Sequence, residues 1–261
     1  IFIPAFFGGV IFDKNKIIQG ILGFIAFSMV SSMIYIFNDL RDIENDRKHP
    51  TKKNRPLASG RIKPIQGIGC IVLCMIIACS ITYIIKNLYA AFFLILYLII
   101  NILYSMGLKN KPIIDIVLLA SGFVIRIFYG GAIMGISISK WLYLVITTGS
   151  LYMGLGKRRN ELKRQKETRD VLRYYNEDFL DKNMYVCMAL TNVFYSLWTL
   201  DMPNPKICWT IPFFIILLMC YSLNVEGDSD GDPVEVILHD KILICIIIAY
   251  AICIFTLLYL V

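Results

Sequence analysis

The sequence predicts an all-α integral membrane protein, a bundle of nine transmembrane helices of which the first is truncated. Three observations predict it. Of the 261 residues, 57% are hydrophobic and 17% charged, and the mean hydropathy is +0.67, more apolar surface than a soluble domain of this length needs. The apolar residues fall in long runs, and a helix needs about 20 such residues to cross a bilayer. Lys and Arg gather in alternate loops between those runs. Inside lipid every backbone polar group must be satisfied internally, so such runs are helices. The alternating strands of about ten residues that build a membrane barrel are absent from the sequence.

In order, the apolar segments lie at 1–12, 17–37, 65–85, 88–106, 113–134, 141–155, 185–200, 207–224 and 242–261. The first is too short to span. The chain opens on Ile1 directly in apolar sequence, so residues 1–12 read as the tail of a longer helix and the N-terminus as incomplete. No basic stretch precedes it to make a signal peptide. One set of loops (38–63, 107–112, 156–183 and 225–241) carries 20 of the 26 Lys and Arg residues. The other set (13–16, 86–87, 135–140 and 201–206) is short and carries five, and Arg126 lies within a span. The positive-inside rule puts the rich side in the cytosol. The net charge of +7 therefore concerns topology and anionic ligands, and is no argument for nucleic acid. The eight cysteines sit almost all in apolar runs, without a CxxC pair, and read as small buried hydrophobes. The chain reads as one domain, 1–261.

The long polar segments lie on the cytosolic side, and loops longer than simple turns commonly carry function. The first directly follows the second apolar run and contains Asn38, Asp39, Asp42 and Asp46. If the helix continues, Asp39, Asp42 and Asp46 stand at i, i+3 and i+7, within a stripe about 60° wide. Tyr35 and Asn38 extend that stripe toward the membrane. Three carboxylates on one stripe repel unless a cation lies between them, and hard oxygen ligands suit Mg²⁺, which completes its shell with water and phosphate. Arg47, Lys48, Lys52, Lys53, Arg55 and Arg61 follow at once, in a turn-rich stretch from Pro50 to Gly60. Carboxylates for a metal beside cations for phosphate make a diphosphate site; attraction of the cations to anionic lipid headgroups is the plainer alternative. His49 sits inside this segment and reads as a phosphate contact rather than a base.

Asn38–Gly60 resembles the first aspartate-rich motif of the UbiA superfamily of prenyltransferases, N-D-x-x-D-x-x-x-D followed by R-P-L-x-x-G. The resemblance implies a fold of nine transmembrane helices with cytosolic caps after helices two and six. Members that use allylic diphosphates have a second aspartate-rich motif after helix six. Here Gly156-Lys157-Arg158-Arg159-Asn160-Glu161-Leu162 stands instead, a basic patch with one carboxylate. Lys157 and Glu161 are i,i+4 neighbours on a helix face. The exchange implies a donor with more phosphate charge and fewer metals to hold it. A salt-bridged, solvent-facing helix is the other reading of those residues.

Three further stretches are similar to the polyprenyl-phosphate phosphoribosyltransferases within that superfamily: Thr168 to Asp181, with Tyr175 in it; Tyr104-Ser105 with Leu108, Lys109, Pro112 and Asp115; and Gly122 to Arg126. The group is tied to the supply of the arabinose donor for bacterial cell-wall arabinan, which implies a bacterial plasma membrane. Its R-P-x-Q-W-x-K-N segment is expected before Ile1. The resemblance implies Mg²⁺ on Asn38, Asp39, Asp42 and Asp46, with the three aspartates catalytic. It implies 5-phosphoribosyl-1-diphosphate and a polyprenyl phosphate as substrates. Tyr35, Lys48, Lys52, Arg55, Tyr104, Lys109, Arg126, Lys157, Arg158, Glu161 and Tyr175 are the substrate-binding candidates.

Arg126 lies near the middle of the run 113–134, where an arginine costs roughly 2.5–3.5 kcal/mol on insertion scales. Asp115 is on the same face but roughly 16 Å along the helix. Arg126 therefore needs another anion, and a substrate phosphate is a reasonable one. Asp115 is expected near the cytosolic edge, capping the helix or orienting Lys109. Phe92, Phe93, Tyr97, Phe128 and Tyr129 read as ordinary span content. Asp228 to Asp232 reads as a hydrated loop, because it lacks EF-hand spacing. Two other functions fit parts of the pattern. An aromatic prenyltransferase shares the first motif but calls for the second. A transporter of an anionic metabolite accommodates Arg126, but shows interrupted helices or inverted repeats, and no convincing one is visible.

Overall fold

The computed structural model describes residues 1–48, 52–164, 170–227 and 233–260. His49, the Pro50–Thr51 start of the turn-rich loop, Thr168 and Arg169, and the run Asp228–Asp232 lie outside the described residues. The described residues form helices and turns without a strand: α1 (Ile3–Phe7), α2 (Lys14–Arg41), α3 (Ile43–Lys48), α4 (Pro64–Ile85), α5 (Leu88–Met106), α6 (Ile114–Met134), α7 (Lys140–Arg164), α8 (Glu177–Leu200), α9 (Ile211–Glu226), α10 (Pro233–His239) and α11 (Lys241–Tyr259). Among them six stretches are long and apolar enough to cross a membrane: α2, α4, α5, α6, Pro205–Glu226 and α11. The segments expected at 141–155 and 185–200 lie inside α7 and α8, which are not among those six. These two helices carry polar residues along their length, and Thr191 Oγ1 donates to Thr148 Oγ1 at 2.8 Å, both buried. Hydroxyl pairs of this kind hold helices together where lipid offers no hydrophobic drive. Residues 1–12 hold a short helix rather than one continuous tail, because the chain turns at Gly8 and Gly9, the latter at φ +71°.

The chain forms two compact units, with the division inside α6. Unit 1 comprises Ile1–Met106 and Ile125–Ser137. Its core is built from Phe27, Val30, Ile34, Leu94, Tyr97, Ile125, Tyr129 and Ile133. Asp13 starts α2 by accepting the backbone N–H groups of Asn15 and Lys16, which would otherwise be orphaned. Pro64 opens α4 at a position where its missing N–H costs nothing. A Cβ at Gly23 would stand 2.3 Å from Ile133 Cδ1, so only glycine lets α2 approach the end of α6 this closely.

Unit 2 comprises Gly107–Val124 and Ile138–Val261. Leu155, Leu172, Leu180, Met184, Val225 and Leu243 bring α7, α8, α9, α11 and the Asp170–Tyr174 turn around one core. Asn176 caps α8 by accepting from Phe179 N, and Asp240 caps α11 by accepting from Ile242 N and Leu243 N. Gly156 permits the close crossing of α7 and α9, since a Cβ there would lie 2.8 Å from Val225 Cγ1.

Candidate active site

In unit 1 the acidic segment is not one uninterrupted helix. α2 ends with Asp42 as its C-cap, whose N–H bonds to Asn38 O, and α3 restarts at Ile43. The break replaces the expected straight stripe, yet two of its carboxylates still converge. Arg55 Nη1 donates to Asp39 Oδ1 at 2.8 Å and to Asp46 Oδ2 at 2.9 Å. Asp46 is 4% exposed, so the pairing is what permits its burial.

The loop that carries Arg55 is anchored from both sides. Arg55 N bonds Lys52 O, Arg47 Nε donates to Ala58 O at 3.2 Å, and the buried Leu57 sits against Gly67 of α4. Leu40 of α2 meets the same glycine. The helix end and the loop are thereby locked together, and Arg55 is aimed at the carboxylates.

The end of α5 completes this cluster. Ser105 Oγ lies 2.5 Å from Asn38 Oδ1, and Arg41 Nη1 donates to Ser105 O. Tyr35, Lys48 and Lys52 are exposed, while Asn38, Asp39, Asp42 and Tyr104 are partly buried. Ser105 and Arg41 were not among the site candidates. Ser105 belongs to a stretch with a family likeness, but no local signal in the sequence joins it to Asn38, which is 67 residues away.

Do these residues suit a divalent cation? One guanidinium nitrogen bonded by two carboxylates marks a point where oxygens already converge on positive charge. Asn38, one residue before Asp39, adds an amide to the same helix end, with its Oδ1 against Ser105 Oγ. Among the described residues no three His, Cys, Asp or Glu side chains gather into a metal cage. Two carboxylates converging on one positive charge suit a hard divalent cation that draws the rest of its shell from water and substrate phosphate, rather than one that needs an all-protein cage.

Arg126 also lies in unit 1. Its Nη2 donates to Tyr97 Oη at 3.2 Å, and its guanidinium stands 5.7 Å from the Phe27 ring centroid and 5.6 Å from that of Tyr97. Ser31 Oγ donates to the same tyrosine oxygen at 3.4 Å. Aromatic faces thus supply part of the negative field that a guanidinium in an apolar span needs. Tyr97, read as ordinary span content, is one of the side chains that places the guanidinium.

Unit 2 treats the basic patch differently from the expectation of a donor-facing surface. Arg158 is 1% exposed. Its Nε donates to Asp115 Oδ2 at 2.5 Å and its Nη1 to Glu161 Oε2 at 2.6 Å. Asp115, expected near an edge, is fully buried and also accepts from Tyr175 Oη at 2.6 Å. Tyr175 Oη in turn accepts from Ile113 N at 2.5 Å, at a residue held at φ +68°. That backbone conformation is costly for a β-branched residue, and the tyrosine bond helps to retain it. Burial first, then the bond to Asp115, push the Tyr175 hydroxyl above the usual phenol range, so it stays a donor at physiological pH.

The neighbours of Arg158 are also engaged inward. Arg159 Nε bonds Asp181 and Asn160 Nδ2 donates to Val225 O at 2.8 Å. Lys109, Lys157 and Glu161 remain partly exposed. The structure therefore brings Arg158 and Tyr175 together around the buried Asp115, with the partly exposed Glu161 bonded to the same guanidinium.

The sequence profile of the UbiA prenyltransferase family matches residues 1–160. Decaprenyl-phosphate phosphoribosyltransferase of Corynebacterium glutamicum is 33% identical over 256 residues, covering 94% of this chain and 77% of that protein. The enzyme of the same name from Mycobacterium tuberculosis is 31% identical over 258 residues, covering 95% of this chain and 84% of that one. Among solved structures, a UbiA homolog from Archaeoglobus fulgidus bound to GPP and Mg²⁺ matches with a TM-score of 0.71, over 91% of this chain and 88% of that chain. At 18% identity that likeness is one of fold.

Proposed function

The chain belongs to the UbiA prenyltransferase family, and from that premise we propose that it transfers 5-phosphoribose from 5-phosphoribosyl-1-diphosphate to a polyprenyl phosphate, releasing diphosphate. It is a multi-pass membrane transferase. The observation that carries the reading is identity above 30% to decaprenyl-phosphate phosphoribosyltransferases across more than nine-tenths of the chain. That span includes the segment after α7, beyond the reach of the family profile and rich in phosphoribosyltransferase-like sequence.

In this reading Asn38, Asp39, Asp42 and Asp46 hold Mg²⁺, and Arg55, Lys52 and Lys48 contact the donor diphosphate. Solved UbiA homologs carry Mg²⁺ or Cd²⁺, which supports use of a divalent metal. When bound, the cation offsets the negative charge that grows on the diphosphate as the bond to ribose C1 breaks. Fixed Arg and Lys groups act on the same charge, in a place arranged before the reaction. The lipid phosphate is anionic at neutral pH and attacks C1 without a strong general base. Lys109 and Lys157 are the proposed phosphate contacts of unit 2, with Arg158, Glu161 and Tyr175 shaping the backbone that carries them. Orientation follows from charge: the polar ends that carry Asp39 and Lys157 face the cytosol, and nine spans with two caps complete the proposed topology.

The test is a comparison of donors. The purified full-length protein in lipid nanodiscs is given phosphoribosyl diphosphate or polyprenyl diphosphate, each with and without its acceptor. Diphosphate released from the sugar donor only when polyprenyl phosphate is present supports the reading. Turnover confined to the prenyl donor with an aromatic acceptor refutes it.

Arg126 is proposed to receive the lipid phosphate, because a guanidinium offers a planar fork to phosphate oxygens. Arg126→Met keeps apolar contact with Phe27 and Tyr97 and removes the charge. The expected result is a protein that melts at or above the wild-type temperature without ligand and loses nearly all turnover. Arg126→Lys should retain part of it. Unfolding of the Met variant in detergent would assign Arg126 to structure, and full activity would remove it from the site.

A further inference from the structure

Ser105 and Asn38 meet where the ends of α5 and α2 come together. Ser105 Oγ lies 2.5 Å from Asn38 Oδ1 and 2.8 Å from the carbonyl oxygen of Asn101, one turn back on its own helix. Ser105 is buried, and its own carbonyl receives Arg41 Nη1, so its backbone is tied to α2.

A serine hydroxyl has one hydrogen and accepts through two lone pairs. It cannot donate to both oxygens. With Asn38 Oδ1 facing Ser105, one of these two short contacts is oxygen against oxygen with no proton between them. Turning the Asn38 amide by half a rotation, with the pair easing apart by a few tenths of an ångström to an ordinary N–H···O length, removes the conflict. Nδ2 then donates to Ser105 Oγ, and the Ser105 hydroxyl donates to the Asn101 carbonyl. The two ends of an amide have the same shape, so the hydrogen-bond network decides which end faces which neighbour.

We infer that Ser105 is a positioning residue that turns the Asn38 amide so that its oxygen, and not its nitrogen, is offered as a ligand beside Asp39. The inference rests on the reading in which Asn38 and the aspartates hold a divalent cation. An amide nitrogen is no ligand for such a cation, whereas a carbonyl oxygen is. Groups that orient a ligand without touching the metal commonly matter nearly as much as the ligand.

The experiment measures metal binding without any substrate. Full-length protein in detergent is titrated with Mn²⁺, and free Mn²⁺ is counted by electron paramagnetic resonance, with the melting temperature of each variant read in parallel. Ser105→Ala should weaken Mn²⁺ binding by about 10–100-fold, the usual cost of losing an orienting partner. Ser105→Thr keeps a hydroxyl that bonds back along the helix, and should stay within about threefold of wild type. Ser105→Cys keeps the volume with a much weaker partner, and should follow the alanine variant even if the latter folds poorly.

The deciding comparison is the same change in the Asn38→Asp background. A carboxylate presents oxygen whichever way it turns, so Ser105→Ala should have little effect there. An equal loss in both backgrounds makes Ser105 a structural contact and overturns the inference. So does unchanged Mn²⁺ affinity for Ser105→Ala and Ser105→Cys when wild type binds normally. Absence of Mn²⁺ binding in wild type would instead remove the metal from the site, and the inference with it, while leaving phosphoribosyl transfer to be judged by the donor comparison.

Discussion

Arg158→Ala is expected to destabilise unit 2 by about 3–5 kcal/mol, the cost of breaking a buried ion pair from one side. Asp115 is fully buried, and the Arg158 guanidinium is bonded to it. Without the guanidinium its carboxylate, which also accepts from Tyr175 Oη, stays buried with its charge uncompensated by Arg158. A loss of that size is a large fraction of the roughly 5–15 kcal/mol that holds a typical domain folded. The measurement is thermal unfolding in detergent, followed by the fluorescence of Trp198, which is buried in unit 2.

The second arm of the test adds Asp115→Asn to Arg158→Met. Neutralising both partners removes the stranded charge, and the amide still accepts from Tyr175, so most of the lost stability should return. An Arg158→Ala protein that melts like wild type but binds phosphoribosyl diphosphate poorly would sink the structural assignment and restore Arg158 to the donor surface.

Asp39→Asn is expected to lower turnover by about 100-fold or more, the scale set by deleting one preorganised electrostatic group. Its effect on folding should be small. The Asp39 side chain is 27% exposed, and Arg55 keeps its bond to the more deeply buried Asp46. Chelation with EDTA should abolish wild-type activity and Mg²⁺ should restore it. Wild-type turnover that persists in EDTA would refute the metal assignment, and a fully active Asp39→Asn protein would remove this carboxylate from it. Asp46→Asn is a less clean probe, because it disturbs both the site and the loop that Arg55 holds.

The two substitutions behave differently because the two ionic clusters have different surroundings. Arg55 is bonded to two carboxylates but remains partly exposed, so water screens the pair and the guanidinium can leave for a better anion. Arg158 is enclosed, with acids on two sides. One cluster is suited to exchanging partners during binding. The other fixes the fold.

Most of the long helices and the acidic segment were legible in consecutive residues. The apolar runs at 65–85, 88–106 and 113–134 coincide with α4, α5 and α6 to within a residue or two. This was legible because span length, hydropathy and helical spacing are short-range properties of consecutive residues. The grouping of Asp39 and Asp46 was likewise readable from their spacing, although Asp42 interrupts the helix between them. Which charges meet which partners was settled by packing between distant segments. Arg158 finds Asp115 across 43 residues, Tyr175 finds Asp115 across 60, Ser105 finds Asn38 across 67, and Arg126 finds Tyr97 across 29. A basic run looks the same in sequence whether it faces phosphate or an acid in the core. The difference lies in burial: desolvation makes an unpaired charge too costly, so the packing of distant helices, and not local pattern, selects the partner.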